Sequence, residues 1–250
     1  TNSFQPAQFG VGEDIIVPAD YDGDRRTNVA IFRPSTGYRY TSTDPAINYG
    51  AFQWGQSGDI PVPTDYDADG KADFAVYRPS NGTWYILLSS NGSAVINAFG
   101  GSADKPVPAD YDGDGKADLA YITLNGNDYD WHIKRSSDGL VTTTRYGVNG
   151  DKAVPADYNG DGTVEIAVFR PSAGNWYTSL DPAAGYGEVH WGQSGDFPVA
   201  ADYDGDGKTD IAIFRPSTRY FYIRQTSDGA TVSKQWGLAT DIPVASAFVR

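Results

Sequence analysis

The chain has 250 residues, no cysteine, no methionine, 29 glycines, 15 prolines, 14% aromatic residues and a formal net charge of -13. That length can bury a sizeable core in one large all-β domain or two smaller ones. The lack of thiols rules out disulfides, and the acidity argues against nucleic acid or an anionic membrane as partner. No apolar run approaches the roughly 20 residues that span a bilayer, and the opening TNSFQPAQFG has neither the basic nor the apolar region of a signal peptide. With no Met anywhere, the chain reads as a processed product, most simply an exported protein that has lost its leader.

In chain order the sequence is an internal repeat. A lead-in, FGVGEDIIVPAD, runs into an acidic loop DYDGDRRTN at Asp20 and then an apolar run, VAIFRPS. The loop returns as DYDADGKAD at Asp65, DYDGDGKAD at Asp110, DYNGDGTVE at Asp157 and DYDGDGKTD at Asp202, at spacings of 45, 45, 47 and 45. Each loop follows an aromatic-Gly, an Asp and a Pro-Val or its equivalent, as in WGQSGDIPVPTD. A sixth lead-in, WGLATDIPVASA, closes the chain, and its loop should begin at Ala247, so residues 237–250 read as a degenerate partial sixth repeat.

Each unit predicts four short strands. They are the VPADY segment before the loop, a run such as FAVYRPS or IAIFRPS after it, a run such as TWYILLSS or NWYTSL, and a run ending in the aromatic-Gly. Four strands every ~45 residues is the pattern of a propeller blade, whose faces are buried only by stacking on neighbours. The expectation is therefore an all-β fold, a β-propeller of four-stranded blades filling residues 1–250 as one domain of five repeats. Six blades or a strand-swapped closure is the alternative. A linear β-solenoid fits less well, because its repeats are usually shorter.

Carboxylates at loop positions 1, 3, 5 and 9, usually with Gly at 6, place several hard oxygens around one point, and a backbone carbonyl at position 7 adds another. That donor set suits Ca2+ with its six to eight oxygen ligands, whereas Zn2+ prefers His or Cys and Mg2+ a tighter octahedron. An EF-hand would have Glu at position 12 between helices. Here that position holds Ile31, Val76, Tyr121, Val168 or Ile213 in strand patterns, so position 9 must close the site. The loops hold 18 of the 32 acidic residues, and five Ca2+ would reduce the net charge from -13 to -3. Without a cation the clustered carboxylates repel one another, so folding and ion binding should be coupled.

These loops, the apolar strands after them and the aromatic-Gly lead-in resemble the FG-GAP or VCBS repeat family, the integrin-type propeller repeats, over nearly the whole chain. The resemblance implies an extracellular propeller with calcium held between the first and second strands of each blade, serving adhesion or ligand recognition. Carried over by position, the implied ligands are Asp20, Asp22, Asp24 and Asn28 in the first loop, and Asp65, Asp67, Asp69 and Asp73 in the second. The third supplies Asp110, Asp112, Asp114 and Asp118, with the carbonyl of Lys116. The fourth supplies Asp157, Asn159, Asp161 and Glu165, and the fifth Asp202, Asp204, Asp206 and Asp210. Arg25 and Asn28 in the first loop, and Asn159 and Glu165 in the fourth, depart from the pattern and imply weaker sites.

Arg-Pro-Ser recurs at Arg33, Arg78, Arg170 and Arg215, before aromatic pairs such as Trp84-Tyr85 and Trp176-Tyr177. It reads either as a ring of sugar pockets, with aromatic faces and guanidinium donors, or as ion pairs and inter-blade core; the second reading is preferred. The third unit lacks the motif and inserts a longer polar turn, Asn125 to Asp130, the place for any specialised site. His132 and His190 have no metal or general-base context, and no nucleophile, phosphate-loop or zinc motif appears, so the chain is not expected to be an enzyme.

The sequence thus predicts a secreted or cell-surface module that binds about five Ca2+ and a glycan or protein ligand. The alternative is a subunit of a self-assembling fibre. Residues Asn2 to Gly10 resemble the last strand of one unit and Ile242 to Val249 the first of another, which would allow homo-assembly by strand addition.

Overall fold

The computed structural model describes residues 8–44, 48–181 and 185–244. Each repeat forms one four-stranded antiparallel sheet with its strands in chain order, and the chain is a five-bladed β-propeller. Two compact units divide it, residues 1–103 and 104–250. The first contains blade 1, of β1 (Ile15–Ile16), β2 (Val29–Arg33), β3 (Tyr38–Asp44) and β4 (Asn48–Gln53), and blade 2, of β5 (Ile60–Pro61), β6 (Phe74–Arg78), β7 (Thr83–Leu87) and β8 (Ala94–Ala98). In the second, blade 3 comprises β9 (Lys105–Pro106), β10 (Leu119–Asn125), β11 (Asp128–Lys134) and β12 (Val141–Val148). Blade 4 comprises β13 (Lys152–Ala153), β14 (Ala167–Arg170), β15 (Asn175–Asp181) and β16 (Gly185–His190). Blade 5 comprises β17 (Phe197–Pro198), β18 (Ile211–Arg215), β19 (Tyr220–Arg224) and β20 (Thr231–Gln235).

The first strand of each blade is shorter and earlier than the VPADY reading. In blade 2 it pairs at Ile60 and Pro61, then makes one more bond, from Val62 N–H to Ala75 O at 3.0 Å, and a lone bridge between Thr64 and Asp73. The acidic loop interrupts the ladder there. The second strands are near-continuous apolar runs because both of their faces are covered. Phe32, Ala75, Val76, Tyr77, Ala120, Ala167, Phe169 and Ala212 are at most 1% exposed. The buried clusters run from blade to blade within each unit: Val17, Ala30 and Phe32 meet Val76; Trp131 and Ile133 meet Ile166 and Val168; Phe169 and Trp176 meet Ile211 and Ile213.

The third strands of blades 2, 3 and 4 bury Trp84, Trp131 and Trp176 completely. Each indole N–H is satisfied by the carbonyl of the aromatic in the next aromatic-Gly, at Phe99, Tyr146 and Trp191, over 2.7 to 2.8 Å. The glycine of that pair is required. Gly100 has φ 126°, and a Cβ there would lie 2.5 Å from the Tyr77 hydroxyl.

The recurring arginines staple the lead-in to the second strand. Arg33, Arg78, Arg170 and Arg215 make bidentate pairs with Asp14, Asp59, Asp151 and Asp196 at 2.7 to 2.9 Å, and each guanidinium lies over a tyrosine ring at 4.2 to 4.8 Å. These are ion pairs with buried carboxylates. In blade 3 Thr123 takes the arginine's place, donating to Asp104 at 2.8 Å. The polar turn expected there is a tight hairpin on lengthened strands, and Asp130 is held by Arg145 and Asn125.

Because Trp176 is 0% exposed, Trp176→Ala is expected to destabilise by about 3–5 kcal/mol in chemical unfolding. Leu140→Ala, at a site 52% exposed, should stay within about 0.5 kcal/mol. Equal losses at the two sites would overturn this account of the core.

Candidate metal centres

The loop's shape follows from its first aspartate. In all five blades one carboxylate oxygen accepts the N–H of position 4 and the other that of position 6, at 2.6 to 2.9 Å. Both donors sit at positive φ, which explains the glycines; Arg25 and Ala68 adopt it as well, each at φ 65°. Position 5 then accepts the N–H of position 7 at 2.8 to 2.9 Å. Position 9 lies across the loop and accepts the N–H of position 2 at 2.6 to 3.0 Å.

That ninth residue is buried in every blade: Asn28, Asp73, Asp118, Glu165 and Asp210 are at most 7% exposed. The tyrosine at position 2 anchors the loop, its hydroxyl donating to the carbonyl of Val17, Val62, Val107, Val154 or Val199 at 2.7 to 2.9 Å. Burial pushes the phenols of Tyr21 and Tyr203 up to about 12.

Carboxylate oxygens converge in every loop. Those of Asp20, Asp22 and Asp24; Asp65, Asp67 and Asp73; Asp110, Asp112 and Asp118; Asp157, Asp161 and Glu165; and Asp202, Asp204 and Asp206 lie within 4.8 Å of one another. Asp69, Asp114 and Asp210 fall outside these sets. Asn28 and Asn159 turn amide donors toward the acids, Asn28 to Asp22 at 3.2 Å and Asn159 to Asp161 and Glu165 at 3.0 and 2.8 Å. A partial positive charge therefore stands in these two loops where the other three have a carboxylate.

The residues fit a hard cation. All donors are oxygens, and the Oδ1 of Asp67 is buried without a hydrogen-bond partner among the described residues. Burial, aided by the nearby charges of Asp112 and Asp110, pushes Asp118 up to about 6. Burial and the charges of Asp157 and Asp161 push Glu165 up to about 7. A divalent ion would relieve that repulsion and hold these groups ionised.

Sequence reasoning missed a set of hydroxyls. In blade 2 Ser89 donates to Asp69 at 2.8 Å and Ser90 to Asp67; in blade 3 Ser136 donates to Asp114 at 2.7 Å and Ser137 to Asp112 at 2.6 Å; in blade 5 Ser227 donates to Asp204 at 2.6 Å. Backbone N–H groups of Ser89, Ser136 and Thr226 also reach the ninth carboxylate at 2.7 to 2.8 Å. Their signal was a Ser or Thr, then Ser, Asn or Asp, and Gly, between the third and fourth strands of those blades.

Fold and loops together define a repeat propeller with one acidic cluster per blade that could hold a cation. The FG-GAP-like repeat model matches residues 65–121 and 157–213, so these two segments are FG-GAP-like repeats within the β-propeller, of a family whose repeats bind calcium. No curated protein matches it by sequence. Among solved structures it is similar to a lectin of Agrocybe aegerita studied for specific recognition of non-reducing terminal N-acetylglucosamine, at 17% identity and a TM-score of 0.56 over 89% of this chain and 66% of the lectin. It is also similar to the biofilm matrix protein Bap1 of V. cholerae, at 17% identity and a TM-score of 0.36 over 89% of this chain and 39% of Bap1.

The raised carboxyls set a pH dependence. A carboxyl near 6 or 7 when folded and about 4 when unfolded binds more protons in the folded state, so without cation stability falls as pH rises through that interval. Asp14 and Asp130, lowered chiefly by Arg33 and Arg145, act below about 4. In EDTA the melting temperature is expected to decline from pH 5 to 7, and excess calcium should abolish the decline; a rise in EDTA would contradict it.

Proposed function

We propose that the chain is an extracellular calcium-binding propeller, one domain of five repeats, acting as a binding module for a glycan or protein ligand rather than as a catalyst. The observation that carries this is the convergence of carboxylate oxygens in all five loops. One ion per loop, about five in all, would be held by positions 1, 3, 5 and 9. The ion would supply positive charge that fixes the loop between the first and second strands. The all-oxygen donor set, the acidity and the resemblance of the fold to a lectin support the extracellular and glycan-binding parts of the reading.

A second reading, self-assembly through the ends, has one observation in its favour. The final lead-in leaves Leu238, Ile242 and Val244 between 46% and 75% exposed, an apolar segment beyond the last strand that a partner could cover. Of the terminal segments on which strand addition would depend, 2–10 and 242–249, residues 8–10 and 242–244 form no strand and the rest lie outside the described residues.

The test is thermal unfolding with and without EDTA, alongside calorimetric titration with calcium. About five ions per chain and a large fall in melting temperature in EDTA are expected, since a ligand at tenfold its Kd adds about 1.4 kcal/mol per site. No bound ion and no shift would reduce the loops to turns.

A further inference from the structure

The blades are of two kinds. In blades 2, 3 and 5 the turn between the third and fourth strands closes over the acidic loop through its hydroxyls. In the sequence of blades 1 and 4 the corresponding residues read Asp-Pro-Ala, at 44–46 and 181–183, with no Ser or Thr at the clasping positions. In blade 1 the space beside the loop is a cleft of about 230 Å³. Asp22 and Asn28 of the loop, Thr41 and Ser42 of β3, and Tyr49 and Gly50 of β4 line it.

Gly50 is the unexpected residue. It lies in a strand, outside the positive-φ glycines, and a Cβ there would meet only Thr41, its hydroxyl at an ordinary 3.5 Å and its carbonyl oxygen at 4.0 Å. Neither backbone nor packing demands glycine. The residues at the same register in the clasped blades are Val95, Thr142 and Val232. A glycine inside a strand gives up packing and backbone order, and it marks a place where something approaches closely.

Before it stands Tyr49, 59% exposed, its ring held edge-on by Tyr40 at 5.8 Å. The Tyr-Gly pair recurs at 186–187 in blade 4 and at this register in no other blade. Blade 4 also buries Ser179, the counterpart of Ser42, to 3% exposure, with its hydroxyl unpartnered among the described residues.

The chemistry of the lining selects the ligand. Carboxylate, amide and hydroxyl groups exchange hydrogen bonds with sugar hydroxyls, an exposed tyrosine face suits the C–H face of a pyranose, and among the described residues no cationic side chain lines the cleft to hold a phosphate or carboxylate. The volume suits a single ring, below the roughly 300–1,000 Å³ of pockets for larger ligands.

We infer that the blade 1 cleft binds one monosaccharide unit of a glycan, and that calcium in the blade 1 loop sets its affinity, because Asp22 and Asn28 belong to both the loop and the cleft. Asn28 donates to Asp22 at 3.2 Å, so an ion that engages Asp22 also positions the amide. The coupling is reciprocal: sugar must tighten calcium by the factor by which calcium tightens sugar. This inference rests on the reading of the chain as a calcium- and glycan-binding module.

The experiment is calorimetric titration of the full chain with N-acetylglucosamine, galactose, mannose and fucose, in excess calcium and in EDTA, for the wild type, Gly50→Val and Tyr49→Ala. Melting temperature and calcium stoichiometry serve as fold controls. At least one sugar should bind, about tenfold more tightly with calcium, within the usual range of coupling. Each variant should weaken that binding at least tenfold while keeping its ions and melting temperature. Binding that survives both variants, or that ignores calcium while ions are bound, overturns the cleft assignment and leaves the module reading intact. No binding to any of these sugars or to a glycan array, with calcium bound as expected, removes the glycan reading and the cleft assignment together.

Discussion

The carboxylate at the first position of each acidic loop accepts two backbone N–H groups, and the rest of the blade is arranged around that capture. By holding positions 4 and 6 it forces the chain through two left-handed residues, and its own carboxylate converges with two of the third, fifth and ninth side chains. The carbonyl of the same residue reaches the next blade. The eighth-position N–H groups of Ala72, Val164 and Thr209 donate to Asp20, Asp110 and Asp157 at 2.7 to 2.8 Å. Within each unit the loops are thus linked in series, and an ion held in one loop would steady an inter-blade contact as well as a turn.

A second set of contacts keeps the opposite side of each blade in register. The lead-in aspartate, the arginine of the second strand and the tyrosine of the third form a stacked, bidentate unit repeated in four blades. A buried carboxylate left without its guanidinium would be costly, and blade 3 avoids that with a neutral hydroxyl from Thr123. The tryptophan of the third strand does the complementary work, filling the space between blades while its N–H finds the carbonyl of the following aromatic. Blade 1 departs from this rule, with Arg39 in the tryptophan's place. It is 1% exposed, donates to the carbonyl of Ala75 and lies over the rings of Phe32 and Phe74 at 5.8 and 5.3 Å. Burial lowers its affinity for the proton.

The same loop chemistry serves two arrangements. Where serine and threonine hydroxyls cover the outer carboxylate oxygens, the loop is enclosed by its own blade. In blade 1, whose fourth strand carries glycine at this register, a polar cleft lies against the loop. Repetition of the blade thus builds the scaffold, and small departures from it create the opening.

Period, strand pattern and the acidic register are local, so the sequence alone determined the blade count, the four strands of each blade and the positions of the acids. DYDGDGKAD needs no distant residue to fold its turn, because Asp110 captures Gly113 and Gly115 within its own loop. The preferred pairing of the Arg-Pro-Ser arginines was also legible, although their partner 19 residues earlier was not. What only the tertiary structure decided lies across the sheet or between blades. Ser89 meets Asp69 across 20 residues and Ser137 meets Asp112 across 25, Arg39 is buried where tryptophan recurs, and Thr41 comes opposite Gly50 beside Asn28. Those contacts depend on strand register and on the stacking of one blade against the next, which no periodicity within a single repeat encodes.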